Sequence, residues 1–178
     1  ARDRVQVLVA VGGLDHEVQR PLAETLTQRR WGDREGHHAG QAIARLADEA
    51  KRILGEGRSV LVYTALDPEL ERGSALDEIP GGRHCVGQGL GRIARACIAA
   101  HGLKRAILAG GDTSSHALGE LDVFALTTRF PMAATPGSPL CTAASADPSL
   151  DGLEIAMKGG QVGGDDYFTS LRDGMGHD

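Results

Sequence analysis

The chain has 178 residues, the length of one ordinary domain, and 41% of them are hydrophobic, enough for a real core. A formal net charge of −5 argues against a nucleic-acid surface, because phosphate backbones attract basic patches. No apolar run approaches the roughly 18 residues of a membrane helix, no signal-peptide pattern opens the chain, and Cys85, Cys97 and Cys141 form no CxxC pair, which argues against zinc or a disulfide framework and fits a reducing cytoplasm.

Aromatic residues make up only 3%, so Ala, Val, Leu and Ile must fill the core. Glycine is the outlier, at 25 of 178 residues, roughly twice average usage. The glycines cluster at the ends of apolar runs, where a backbone turns sharply or approaches a ligand closely. The chain opens on Ala1 and not on Met, and a strand pattern begins almost at once, so a longer natural chain is expected upstream.

Residues 5–11 (VQVLVAV) read as a buried strand ending in Gly12-Gly13. Residues 17–29 read as a helix with Pro21 in its first turn, and the polar stretch 31–38 as a loop. The helical pattern is clearest over 39–54, where Ala39, Ile43, Leu46, Ala47, Ala50, Ile53 and Leu54 make one stripe before Gly55 and Gly57. Residues 59–64 (SVLVYT) are a second strand, and 67–82 an irregular surface loop. A second amphipathic helix covers 86–100, with Val86, Leu90, Ile93, Ala94, Cys97 and Ile98 inward. A short strand at 106–109 precedes a helix over 114–118, then a strand at 123–127, a turn at 135–139, a strand at 153–157 and a closing helix at 166–171. Strands alternating with helices predict a single layered α/β domain with a largely parallel or mixed sheet.

Two glycine segments carry the chemistry. The first, Gly110-Gly111-Asp112-Thr113-Ser114-Ser115, follows a strand and opens a helix. At the carboxyl end of a strand such a loop suits an anion, since backbone N–H groups, hydroxyls and a helix N-terminus converge there. It also reads as a tight turn with Ser or Thr as the helix N-cap. It is not a Walker loop, because no GK[ST] follows. The second, Lys158-Gly159-Gly160-Gln161-Val162-Gly163-Gly164-Asp165-Asp166, also lies between a strand and a helix. Lys158 there is either a point charge for a phosphate or a solvated strand end. Asp165 and Asp166 are either Mg²⁺ holders or helix caps. A third loop, Gly12-Gly13-Leu14-Asp15, closes the first strand and falls at the same edge if the sheet is parallel. His37-His38 read as solvated loop residues, and His84 and Cys85 lack a partner at metal-ligand spacing. No GxSxG elbow and no local Cys–His nucleophile pair is present.

These segments resemble the C-terminal nucleotide-binding domain of the four-carbon acid sugar kinases, the 3-oxo-tetronate, D-threonate and D-erythronate kinases. The likeness covers residues 5–173 and is carried by AILAGGDTS (106–114), TPGSPLC (135–141) and DGLEIAMKGGQVGGDDYF (151–168), with SVLVYTA (59–65) and VGQGLGRIA (86–94) in support. The resemblance implies an ATP site lined by Gly110, Gly111, Asp112 and Thr113, and by Gly159 or Gly160. With the residue reading, the candidate nucleotide contacts are Gly13, Gly110, Gly111, Asp112, Thr113, Ser114, Lys158, Gly159, Gly160 and Gly163, with ATP and Mg²⁺ as cofactors and no metal ligated by protein side chains alone. The family's serine-bearing turn after its first strand reads Gly12-Gly13-Leu14-Asp15 here, which leaves only backbone groups of Gly13 and Leu14 for that contact. The family's DDxTG motif, which carries the catalytic carboxylate, does not occur in these residues. The resemblance therefore implies a sugar-acid domain upstream. A nucleotide or phosphometabolite sensor, or a partner domain completing a site in another chain, are the rival readings, and a homo-oligomer is left open.

Overall fold

The computed structural model describes residues 7–11, 27–30, 39–64, 82–132, 135–159 and 162–173. The strands are β1 (Val7–Val11), β2 (Thr27–Arg30), β3 (Val60–Tyr63), β4 (Arg105–Ala109), β5 (Val123–Phe130), β6 (Leu140–Ser145) and β7 (Glu154–Lys158). The helices among the described residues are α1 (Ala39–Gly55), α2 (Gly82–His101), α3 (Gly111–Gly119) and α4 (Tyr167–Asp173). The strands form one sheet in the order β2-β3-β1-β4-β7-β6-β5. Five neighbours, β2, β3, β1, β4 and β7, are parallel, while β6 runs antiparallel to both β7 and β5. The expected α/β domain with a mixed, largely parallel sheet is therefore the observed one.

The central strands read as apolar runs because both their faces are covered. Side chains alternate across a strand, and the two buried clusters divide accordingly. Val60, Val62, Ala106, Leu108 and Ile155 join the inward stripes of α1 and α2 on one face. Leu61, Tyr63, Ile107, Ala109 and Ala156 pack with Tyr167, Phe168 and Leu171 of α4 on the other. The stripe predicted for α1, from Ile43 to Leu54, and the inward residues predicted for α2 lie in, or packed against, the first cluster. Past α1, Gly57 takes the left-handed conformation at φ 79° and its N–H bonds the Leu54 carbonyl at 2.9 Å, so glycine ends the helix as expected.

The expected loop at 67–82 yields its last residue to α2, which begins at Gly82 instead of Val86, and two strands form where none was expected. Residues 27–29 were expected to close a helix, yet Thr27–Arg30 pair in parallel with β3 at the outer edge of the sheet. Pairing to a neighbouring strand overrides the weak local preference of TQRR. Residues 140–145 (LCTAAS), which carry no strand pattern, form β6 between β7 and β5. Its small and polar residues hide an alternation that the pairing imposes. The remainder of the predicted 17–29 helix and the loops at 31–38 and 67–81 lie outside the described residues.

Helix α3 is seated by glycines of α2. A Cβ at Gly87 would lie 2.5 Å from His116 Cβ and 3.0 Å from the Thr113 carbonyl oxygen. One at Gly91 would overlap the Ala117 carbonyl oxygen and sit 2.8 Å from Glu120 Cβ and 2.9 Å from Ala117 Cα. The glycine-rich start of α2 is thus a packing groove for α3. At its far end Arg92 Nε meets Glu120 Oε2 at 3.0 Å, and Arg95 Nη1 donates to the Glu120 carbonyl at 3.2 Å.

Gly91→Ala forces the two backbones apart, and by the cost of overpacking it lowers stability by about 1–3 kcal/mol. Gly40→Ala, where a Cβ meets nothing within 4 Å, holds or raises stability by up to about 1 kcal/mol. Urea unfolding of the two variants checks the contrast; equal midpoints would show that the groove does not set the packing.

Candidate functional site

Strand register brings the loops together. Val11 pairs with Ala109, and Ala109 with Lys158, so β1, β4 and β7 end level at one carboxyl edge. The Gly110 N–H donates to the Lys158 carbonyl at 3.0 Å, which adds one rung to the β4–β7 ladder and sets the first glycine loop beside the second. Because β6 is antiparallel and begins with Leu140 opposite Ala156, the turn before it reaches the same edge. That turn is Thr135-Pro136-Gly137-Ser138, with Gly137 at φ 86° and the Ser138 N–H bonded to the Thr135 carbonyl at 3.0 Å, a type II turn with proline and glycine at their favoured places.

The first loop is shorter than expected. Gly110 makes the whole turn at φ 101°, ψ 119°, a conformation open to glycine, and α3 begins at Gly111 instead of Ser114. Gly111, Asp112 and Thr113 are therefore the first helical turn, where N–H groups have no intrahelical acceptor. Among the described residues no side-chain cap hydrogen bond is made at this helix start. The Ser or Thr cap weighed from sequence is not formed: Ser114 is buried, and its hydroxyl donates back to the Gly111 carbonyl at 2.9 Å. Gly111 is exposed and a Cβ on it would meet nothing within 4 Å, so neither packing nor a left-handed φ calls for glycine there.

The second loop is built on Lys158, 6% exposed, whose Nζ donates to the Gly159 carbonyl at 3.3 Å. The solvated strand end weighed from sequence is thus not what forms; a cationic head group is held at the strand end, inside the edge. Asp166 acts as a helix-start residue: its carbonyl accepts the Ser170 N–H at 2.7 Å and its Oδ2 accepts the Ser170 hydroxyl at 3.1 Å. Gly163 has a structural reason, with φ 99° and a would-be Cβ 3.1 Å from both Thr135 Cγ2 and Tyr167 Cδ2. Gly13 and Gly160 lie outside the described residues.

Sequence reasoning passed over Thr135 and Tyr167 as single residues. Both are 2% exposed, they meet around Gly163, and among the described residues neither Thr135 Oγ1 nor the Tyr167 hydroxyl has a hydrogen-bond partner. Burial, with a smaller contribution from Cys141, pushes the Tyr167 phenol up to about 12, so it stays protonated and keeps its donor. TPGS announces a turn in the sequence, but nothing local announces that its threonine hydroxyl is shut inside. Buried polar groups left unpaired cost about 1–3 kcal/mol each, which makes this floor beneath the second loop a place where a donor or acceptor is wanted.

The edge fits a polyphosphate. Uncapped N–H groups with a positive helix end, a glycine facing open space and a buried ammonium all favour an anion. For Mg²⁺ the fit is of the kind that leans on ligand phosphates: Asp112, Asp165 and Asp166 are exposed, and no group of three His, Cys, Asp or Glu converges among the described residues.

A parallel sheet with glycine turns and a helix N-terminus at its carboxyl edge defines a nucleotide-binding α/β domain in outline. The model of the nucleotide-binding C-terminal domain family matches residues 17–168, and the chain belongs to that family, the C-terminal domain of the four-carbon acid sugar kinases. It is 33% identical to the 3-oxo-isoapionate kinase of Paraburkholderia graminis over 98% of this chain and 40% of that protein. It is 35% identical to the 3-oxo-tetronate kinase of Cupriavidus necator over 78% of this chain and 30% of that protein. The chain thus spans well under half the length of either relative. Two solved structures share the fold: a domain of unknown function from Bordetella bronchiseptica, a domain-swapped dimer with bound citrate (TM-score 0.63, 21% identity, 95% of this chain and 39% of that one), and a Haemophilus influenzae protein (TM-score 0.68, 18% identity, 96% and 40%). No described helix is long and apolar enough to cross a membrane.

Gly163→Ala places a Cβ in the left-handed region and against Thr135 and Tyr167, and loses about 1–2 kcal/mol from the conformation alone. At Gly164 only the Asp166 carboxylate tip is near, at 3.3 Å, and it can swing away. Thermal unfolding should rank Gly163→Ala clearly below Gly164→Ala; the reverse order would remove the structural role of Gly163.

Proposed function

We propose that this chain is the ATP-binding domain of a sugar-acid kinase whose acceptor substrate, a four-carbon acid sugar, is held by a domain outside these residues. The observation that carries the reading is the Gly110 N–H bond to the Lys158 carbonyl, because it sets the uncapped first turn of α3 beside the second glycine loop. The kinase names of the relatives and the share of them that this chain spans support the same reading. When bound, ATP with Mg²⁺ supplies the phosphoryl group to be moved. The N–H groups of Gly111, Asp112 and Thr113 grip phosphate oxygens, Gly110 lets the backbone come close, and Gly159 closes the other side. The buried charge of Lys158 holds the second loop by its Gly159 bond and makes the edge cationic. The Ser114 hydroxyl steadies the first turn instead of reaching the ligand. An acceptor hydroxyl also needs a base and an aligned seat, and both are assigned to the missing domain. The reading carries with it a cytoplasmic setting, where ATP is plentiful.

Gly111→Ala tests the grip. The helix accepts alanine, so the fold is kept, while the methyl group occupies the space where a phosphate would approach. Calorimetry should show ATP binding weakened by about ten-fold or more, or roughly 1.4 kcal/mol, with adenosine much less affected. An unchanged ATP affinity in the folded variant would leave Gly110-Gly111 as a turn only.

The isolated chain should bind ATP and release no ADP in response to threonate, erythronate or their 3-oxo forms, and a chain lengthened upstream by the relatives' remaining portion should turn over. A coupled ADP assay reads both. Substrate-dependent ADP release by this chain alone would move the catalytic carboxylate to Asp112, Asp165 or Asp166.

A further inference from the structure

Helices α2 and α3 bring together two imidazoles 32 residues apart in sequence: His84 Nδ1 and His116 Nδ1 lie 2.9 Å from one another. The ring centroids are 4.3 Å apart and the rings cross at 78°. The approach is enforced by packing. Gly87 is one turn beyond His84 on the same helix face, and its missing side chain is what lets the His116 backbone reach α2, since a Cβ there would stand 2.5 Å from His116 Cβ. His84 is exposed and His116 half-buried, so the pair is backed by the helix groove and open to solvent on the other side.

A single N–H···N bond between opposite tautomers accounts for the distance, and so does a shared ion. A metal about 2.0–2.1 Å from each of two nitrogens at a right angle holds them about 2.9 Å apart. Rings crossing at 78° keep their edges clear of one another while the two Nδ1 atoms meet. No third His, Cys, Asp or Glu joins them among the described residues, so the other coordination positions belong to water or to an incoming donor. We propose that His84 and His116 chelate a divalent transition metal ion of the imidazole-preferring kind that takes right-angle coordination, Ni²⁺ or Cu²⁺, across α2 and α3. Mg²⁺ is not a candidate, because it takes oxygen ligands. The bound ion ties the first turns of α2 to the last turn of α3, the helix whose opposite end stands at the sheet edge. The site is independent of the nucleotide reading and stands or falls by itself.

The test is thermal unfolding of the chain in nickel chloride, without nucleotide. A chelate formed only by the folded helix pair raises the melting temperature by several degrees once nickel is in large excess over its dissociation constant. Magnesium chloride at the same concentration leaves the melting temperature where it was. His84→Gln, at an exposed position where the fold is safe, and His116→Gln each remove the nickel shift, since one imidazole alone makes no chelate. Absence of a shift in the unaltered chain, or a shift that survives in either variant, overturns the proposal and leaves the pair as a hydrogen bond between two tautomers.

Discussion

The backbone bond from the Gly110 N–H to the Lys158 carbonyl, 3.0 Å long, is the joint on which the carboxyl edge depends. It carries the β4–β7 ladder one rung beyond Ala109, and then Gly110 turns at φ 101° so that α3 starts on the next residue. A branched or bulky residue at 110 would strain the turn, and a longer loop would carry the helix start away from Lys158. The same two strands are pinned at their beginnings. Arg105 Nε donates to Glu154 Oε2 at 2.7 Å, Arg129 Nε meets Glu154 Oε1 at 3.0 Å, and an Arg105 guanidinium N–H reaches the Leu171 carbonyl of α4. With both ends of the strand pair held, the positions of the two glycine loops follow from the sheet and not from the loops themselves.

The aim of α3 is a packing property of the helix layer. Gly87 and Gly91 let its backbone press into α2, and Ala117 and Leu121 bury themselves there. The ion pairs at its far end and along α1 are exposed, and such pairs are worth about 0–1 kcal/mol each, so the apolar cluster carries the stability and the charges set direction. On the opposite face Tyr167, Phe168 and Leu171 of α4 pack on the sheet, and Tyr167 meets Thr135 under the second loop. The two faces thus serve the edge differently: one sets a helix end, the other sets a loop floor.

In the proposed kinase this domain supplies grip and not chemistry. Phosphoryl transfer rests mainly on positioning and on stabilising charge. Those are what uncapped N–H groups, a buried ammonium and glycines without side chains offer. Of the exposed carboxylates near the edge, Asp166 holds the first turn of α4, and Asp112 lies in the first turn of α3. In the proposed kinase the acceptor's needs are met elsewhere, which agrees with a chain that spans 40% and 30% of its two kinase relatives.

Much of this was legible in the residues. Central strands such as VLVY and RAILA declared themselves because burial on both faces demands unbroken apolar runs, and α1 and α2 did so because a helix buried on one face repeats at 3.6 residues. Glycines at strand ends marked the loops. TQRR and LCTAAS did not announce β2 and β6, because strands of small or polar residues owe their form to the neighbour they pair with. The early start of α3, the burial of Lys158, the unpartnered Thr135 and Tyr167 oxygens and the meeting of His84 with His116 were decided only in three dimensions. The sequence by itself determined the class of fold and the glycine loops, since periodicity and backbone freedom are local properties. Tertiary structure decided which loop lies beside which and which side chains face each other, since strand register and helix contact join residues that no local pattern links.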